Sequence, residues 1–343
     1  MFVSSRFALG RLLADLELLE RNGEPAEQVR CLLQIARKGA AQGFLVAAAR
    51  ACRIAARLAE RDEVLRGQAL GLLGEVLAAA GHAIFAITCF ERAAAALGVG
   101  GRPREARAAR LCAAILHGER EPETARARLL ALLDELTAEA EPALFAEVLI
   151  ALGELDLDAQ EFRGALVCAE TAERAAALVP ATGAAAGELR VRGAALRGAA
   201  LAGLEQAGEA MPLLTAAIHA LRGGTRPATL GRTLEWKGWL LLLRGEPAQA
   251  HDCWKEALQV RQKARQAGPT ALLALRLAAS LQDNPAEALR YLIVALDTLR
   301  PMRRPPAELV SWAARLAQSQ PETQLHKHLQ RLLQQLPAAP SRG

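Results

Sequence analysis

Six histidines, six cysteines, six serines and one tyrosine are what this 343-residue chain could bring to proton transfer, acyl chemistry or metal binding besides its carboxylates. His326 and His328 stand two apart, which on a helix turns them to different faces, so a metal would need a further ligand from elsewhere. No Gly-x-Ser-x-Gly elbow and no phosphate-binding Gly-Lys-Ser/Thr run occurs, and Tyr291 sits alone in a helical stretch. Glu147, Glu154 and Asp158 could line one helix face, a pattern that a solvated helix produces as readily as a working pair of carboxylates. The cysteines, Cys31, Cys52, Cys89, Cys112, Cys168 and Cys253, never form Cys-x-x-Cys and lie in apolar helical stretches, so they read as reduced, buried small hydrophobes. No catalytic set, cofactor motif or metal site emerges, and the expectation is a protein that is not an enzyme.

The elements that would position any site are helices. Ala, Leu, Arg and Glu dominate, β-branched and aromatic residues are scarce, and 52% apolar content is ample for a continuous core. The net charge of +5 is small and dispersed, without the dense basic stripe and interleaved aromatics of a nucleic-acid binder. The opening MFVSSRFALGRLLADLELLE carries charges through its apolar run and no small-residue cleavage site, and no stretch reaches eighteen uncharged apolar residues. A soluble, cytoplasmic chain without a signal peptide or membrane insertion is expected.

A repeat lies under the alanine. LGLLGEVLAAAGHAIFAITCFERAAAAL and LEWKGWLLLLRGEPAQAHDCWKEALQV align so that Leu70, Gly74, Ala86, Phe90 and Ala93 fall on Leu234, Gly238, Ala250, Trp254 and Ala257. The same frame pairs Ala36 with Ala48, Ala113 with Ala125, Gly153 with Ala165, Gly198 with Ala210, and Arg276 with Ala288, giving seven copies. A small residue inside one helix, a turn, and an alanine early in the next describe two antiparallel helices in close approach, with a bulky residue four places on filling the adjoining hole. That bulky set is Phe90, Leu129, Leu214, Trp254 and Leu292, with Cys52 and Ala169 as weaker members. GEPAQA, REPETA and DNPAEA put proline at the first helical position and acids in the first turn, which marks helix starts.

Small at position 8, Ala at 20, bulky at 24 and Ala at 27 resembles the tetratricopeptide repeat, over about residues 29–302. The alanine at 20 recurs in all seven copies and that at 27 in six, Leu132 being the exception. The family's closing proline is missing, leucine replaces its aromatic at position 11, and Arg276 replaces the small residue in the last copy. Successive position-20 alanines are 38, 39, 40, 45, 40 and 38 residues apart, longer than the family's usual spacing of about 34. Such repeats resemble those of large LuxR-type bacterial regulators. The resemblance implies an all-α, right-handed α-solenoid of about seven helix pairs. Residues 1–22 and 303–343 would cap the array of 23–302, and a hinge could lie in VPATGAAAGE, 179–188. GEPAEQ at 23–28 resembles GEPAQA, which leaves open whether the helix after it is the first or second of a pair.

In tetratricopeptide arrays the first helix of each pair faces a concave groove and presents positions 2, 5, 9 and their neighbours. Carried onto this chain, these are Arg30, Leu33 and Arg37; Gln68 and Glu75; Arg107, Arg110 and Ala114; Glu147, Ile150 and Glu154; Arg192 and Ala195; Arg232, Glu235 and Trp239. Arginine forks at position 2 suit carboxylates or backbone carbonyls of an extended peptide, though exposed arginine is also this composition's default polar residue. The asparagine that carboxylate-clamp co-chaperones need at position 9 is replaced by Arg37 and Glu75. Three of four tryptophans fall in one copy. Trp254 takes the packing position 24, Trp239 the groove position 9, and Trp236, three residues before it, is either a contact or a packing residue. The implied function is a non-catalytic scaffold binding a protein or extended peptide in the groove. The alternative is a regulatory module like the LuxR-type repeat domains, taking a small effector or peptide.

Overall fold

The computed structural model describes residues 23–118, 120–180, 184–224, 226–264, 266–281, 284–300 and 307–318. Every regular element among them is an α-helix. The first four pairs are α1 (Pro25–Ala41) with α2 (Leu45–Leu58), α3 (Glu63–Ala79) with α4 (Ala83–Val99), α5 (Pro103–Gly118) with α6 (Pro122–Asp134), and α7 (Pro142–Asp158) with α8 (Phe162–Leu178). Three more follow: α9 (Ala184–Gly203) with α10 (Ala207–Leu221), α11 (Pro227–Leu243) with α12 (Pro247–Lys263), and α13 (Ala267–Ser280) with α14 (Pro285–Leu299). A last helix, α15, spans Ala307–Gln318. From α1 to α8, and again from α10 to α15, successive helices pack on one another, as an α-solenoid requires. The chain separates into two compact units, one ending at Arg190 and one beginning at Val191, within α9. The amphipathic stretch 4–21, and 319–336 of the expected C-terminal pair, lie outside the described residues.

The turns explain why the pairs form where they do. In five of them one residue adopts a left-handed backbone: Gly43, Gly81 and Gly245 at φ of 83°, 81° and 76°, and Gln160 and Glu205 at 63° and 60°. The next amide donates back to the helix it has just left, as from His82 to Leu77 O (2.8 Å), Glu161 to Asp156 O (2.7 Å), Gln206 to Leu201 O and Glu246 to Leu241 O (both 2.9 Å). This closure satisfies carbonyls that a helix end leaves open. A Cβ in that conformation costs about 1–2 kcal/mol, against about 0.5–1 kcal/mol for glycine's extra freedom in the unfolded chain. Gln160→Gly and Glu205→Gly are each expected to stabilise the fold by about 0.5–1 kcal/mol, read as a higher melting temperature. A fall in either variant would contradict this account of the turns.

Proline opens α1, α6, α7, α11, α12 and α14, where its missing N–H costs nothing. Asp62 caps α3 by accepting from the Leu65 amide at 3.0 Å, and Asn284 caps α14 by accepting from the Glu287 amide at 3.3 Å.

Inside each pair, all seven position-20 alanines are buried, and so is every position-24 residue from Cys52 to Leu292. A Cβ added at Gly74 would meet the Phe90 ring at 3.0 Å, and one at Gly198 would meet Leu214 Cγ at 3.0 Å. The small residue is therefore what lets the bulky one in. α1 packs on α2, Gly39 lying against Ala48.

The seventh pair departs from the frame. Arg276 does not stand in a packing position, because four residues separate Ser280 from Pro285 where three separate Leu243 from Pro247. Counting twelve back from Ala288 then lands off the packed face; Arg276 is exposed while Ala274 and Leu275 beside it are fully buried.

Candidate functional site

The tryptophan-rich pair α11–α12 holds the most unusual chemistry of the second unit. Trp254 is a core residue, buried with Leu234, Ala257, Leu275 and Leu292. Its indole N–H donates to the Glu235 carbonyl at 3.1 Å, and its ring occupies space that exists only because position 238 lacks a side chain. Buried tryptophan keeps its polar atom satisfied in this way. Trp236 and Trp239 behave differently. They meet edge to face, with centroids 5.8 Å apart and planes at 81°, and both remain half-buried. Trp239 also packs along the core cluster of the last pairs, while Trp236 rests on Trp239 outside that cluster.

Beneath them lies a buried charge cluster. Glu235 bonds the Arg261 guanidinium, and Arg276 approaches its other oxygen at 3.7 Å. Arg261 is only 5% exposed, and its Nη1 donates to Gln266 Oε1 at 3.2 Å. Burial pushes the Glu235 carboxyl above the ordinary carboxylate range, opposed by Arg261, Arg276 and Arg232. The stem of Arg261 lies on Gly231, where an added Cβ would meet its Cγ at 3.0 Å. Leu97 lies on Gly67 in the same way in the second pair. Arg261 thus occupies a layer that Leu97, Leu136 and Leu221 fill in other pairs. The spacing of small and bulky residues between helix ends, Gly67 to Leu97 and Gly231 to Arg261, was the available sequence signal for this layer, and it lies outside the tetratricopeptide positions.

The remaining expected groove residues fall into three groups. Arg30 and Arg37 are exposed; Glu75 is also open to solvent, its carboxyl raised by partial burial and pulled back by Arg37. Others are tied up in side-chain bonds. Gln68 donates to Glu105 at 3.3 Å and Arg107 bonds Glu141, each linking one pair to the next, while Arg110 clasps Glu135 within the third pair with two nitrogens, one at 2.8 Å. That clasp raises the Arg110 pKa and lowers that of Glu135. Glu147 and Glu154 are half-buried on α7, and Arg232 is half-buried on α11. Arg192 is buried, as are Leu33, Ala114, Ile150 and Ala195, so these five are interior residues rather than an exposed face.

One further charged group escaped the sequence reading. Asp156 replaces the leucine of position 11, is 5% exposed, and pairs with Arg126 of α6 at 2.6 Å. Its other oxygen lies 3.9 Å from Cys168 Sγ. Burial, and then Asp156, push that thiol up to about 11, while burial pushes Cys52 to about 12. Both are held as thiols, far from the reactive thiolate. All the described cysteines are free. Among the described residues no group of three or more His, Cys, Asp or Glu could hold a metal, and His326 and His328 lie outside them. No described helix is long and apolar enough to cross a membrane.

No protein-family model and no curated protein matches the chain. Among solved structures, BtubC (BKLC) from P. vanneervenii is similar at 16% identity and a TM-score of 0.45, over 76% of this chain and 89% of that one. A tetratricopeptide repeat protein from Parabacteroides merdae is similar at 16% identity and a TM-score of 0.45, over 89% of this chain and 98% of that one. With its successive helix pairs, each closed by a buried alanine and, in five of the seven, by a large buried side chain four places on, the chain has an all-α helical-repeat fold that resembles the tetratricopeptide arrangement.

Proposed function

We propose that the protein is a non-catalytic scaffold that binds a partner protein or extended peptide through the first helices of its pairs, with α11 as the principal contact. Stacked helical repeats generally present extended surfaces for protein interaction. The observation that carries this reading is the half-buried edge-to-face pair Trp236 and Trp239 on the helix that also carries Arg232, with Arg276 reaching the intervening Glu235 at 3.7 Å. Aromatic area set next to guanidinium groups is the composition of an interface hot spot. A bulky core tryptophan alone would not support it, and Trp254 is of that kind. In unit 1, exposed Arg30 and Arg37 are candidate accessory contacts. A cytoplasmic, bacterial setting accords with the reduced cysteines and the regulator-like repeat length.

Affinity capture tests this reading. Trp239→Ala with Arg232→Ala is expected to weaken retention of the specific partner at least about 30-fold, the loss of one hot spot of about 2 kcal/mol or more. Undiminished retention by a variant that melts normally would overturn the assignment of α11.

A further inference from the structure

Thirteen large apolar side chains are exposed among the described residues, and ten of them lie on the second helices of the first unit, α2, α4, α6 and α8, or on the N-cap of α2. The second helices of the other unit, α10, α12 and α14, contribute none. The bias is strongest on α2 and α4, where Val46 is 87% and Phe85 67% exposed, with Ile54, Leu58 and Ile84 beside them. The two helices are neighbours: Ala56 of α2 and Ala94 of α4 pack on one small cluster around Ala93.

Arginines stand among these side chains. Arg50, Arg53 and Arg57 recur along the exposed side of α2, which contains no acidic residue, and Arg92 is exposed on α4. Arg53 and Arg92 both act on the Cys89 thiol, so they flank one spot on the surface. None of the four has a carboxylate partner among the described residues. The single acid of α4, Glu91, is engaged by Arg128 at 2.6 Å.

Any occupant must therefore supply negative charge and an apolar phase within one side-chain length of each other, across two helices. A protein would need a matching mosaic. The boundary between headgroups and acyl chains in an anionic bilayer offers both continuously. Nucleic acid would leave Val46, Ile54 and Leu58 in water, since phosphates and base edges offer these aliphatic side chains no apolar phase.

We propose that the outer face of α2 and α4 docks the protein onto an anionic membrane surface, the four arginines meeting headgroups and Val46, Ile84 and Phe85 entering the acyl boundary. The contact is peripheral and independent of the α11 site.

Co-sedimentation of the full chain with phosphatidylcholine vesicles, with and without phosphatidylserine, tests it. Binding is expected only with phosphatidylserine and should weaken with added salt. Arg50→Gln, Arg53→Gln and Arg57→Gln together should reduce partitioning about 100-fold, near five-fold for each charge. Val46→Ser with Phe85→Ser should reduce it separately, and Trp239→Ala with Arg232→Ala should leave it intact. These sites are exposed, and unchanged melting temperatures would show that the fold persists. Failure to sediment with phosphatidylserine vesicles, or equal binding by the triple variant, would overturn the proposal. Equal retention on a polyglutamate matrix would also overturn it, by making the face a general acid-binding surface.

Discussion

Gly238→Ala is expected to destabilise the protein by about 2 kcal/mol, although alanine is worth about 1 kcal/mol more than glycine in a helix interior. The new Cβ would lie 2.4 Å from Trp254 Nε1, 2.5 Å from its Cδ1 and 3.1 Å from the Ala250 carbonyl oxygen. The ring has little freedom to retreat, because its N–H is held by the Glu235 carbonyl and its body is packed in the core. Overpacking against a rigid aromatic and a backbone atom therefore outweighs propensity. Gly71→Ala is the control: its Cβ would find only Ala93 Cβ, at an ordinary 3.9 Å, so propensity wins and stability rises by about 0.5–1 kcal/mol. Placing Trp254→Leu behind Gly238→Ala recreates the Ala113 and Leu129 combination of the third pair. A denaturant double-mutant cycle should show a favourable coupling of about 1–2 kcal/mol. Simple additivity would contradict the interlock.

Glu235→Ala is expected to cost more, about 3–5 kcal/mol, because it strands the buried Arg261 guanidinium. Only Gln266 would remain bonded to it, at 3.2 Å. The corresponding exchange in the third pair has the charges reversed, with Arg110 on the first helix and Glu135 after the second. Those side chains are 42% and 43% exposed, so Arg110→Ala should cost under about 1 kcal/mol. Burial, not the number of hydrogen bonds, separates the two. Glu235→Leu together with Arg261→Leu should recover most of the loss by restoring the apolar layer that Leu97, Leu136 and Leu221 form elsewhere. Equal melts for Glu235→Ala and Arg110→Ala would show that water reaches Arg261.

The helix pairing was legible because it rests on size. Phe90 and Trp254, the aromatic members of position 24, face Gly74 and Gly238, whereas the copies with the smaller Cys52 and Leu129 carry alanine, Ala36 and Ala113, at position 8. Proline at helix starts and glycine in three of the turns were equally direct signals. Burial of charge was not legible, because position 5 is solvent-facing with Arg110 and interior with Glu235. The choice depends on what position 31 and the following pair contribute: Arg261 and Arg276 here, Leu136 there. Asp156 hid for a related reason. Its partner Arg126 comes from the preceding pair, thirty residues away, beyond the reach of any local pattern. The seventh pair misled the frame through one added turn residue, which rotates every earlier position of α13 relative to Ala288.

The tryptophans pose the central question of whether α11 is a contact surface or only a packed helix. Trp254 belongs to the interior, while Trp236 and Trp239 stay half open beside arginines. A photo-reactive amino acid placed at position 239, with a matched one at the exposed position Gln249 on α12, tests the contact reading directly in the presence of the captured partner. The account predicts cross-links to one partner segment from position 239 and not from position 249. Cross-linking from position 249 alone would place the partner on the second helices and contradict it.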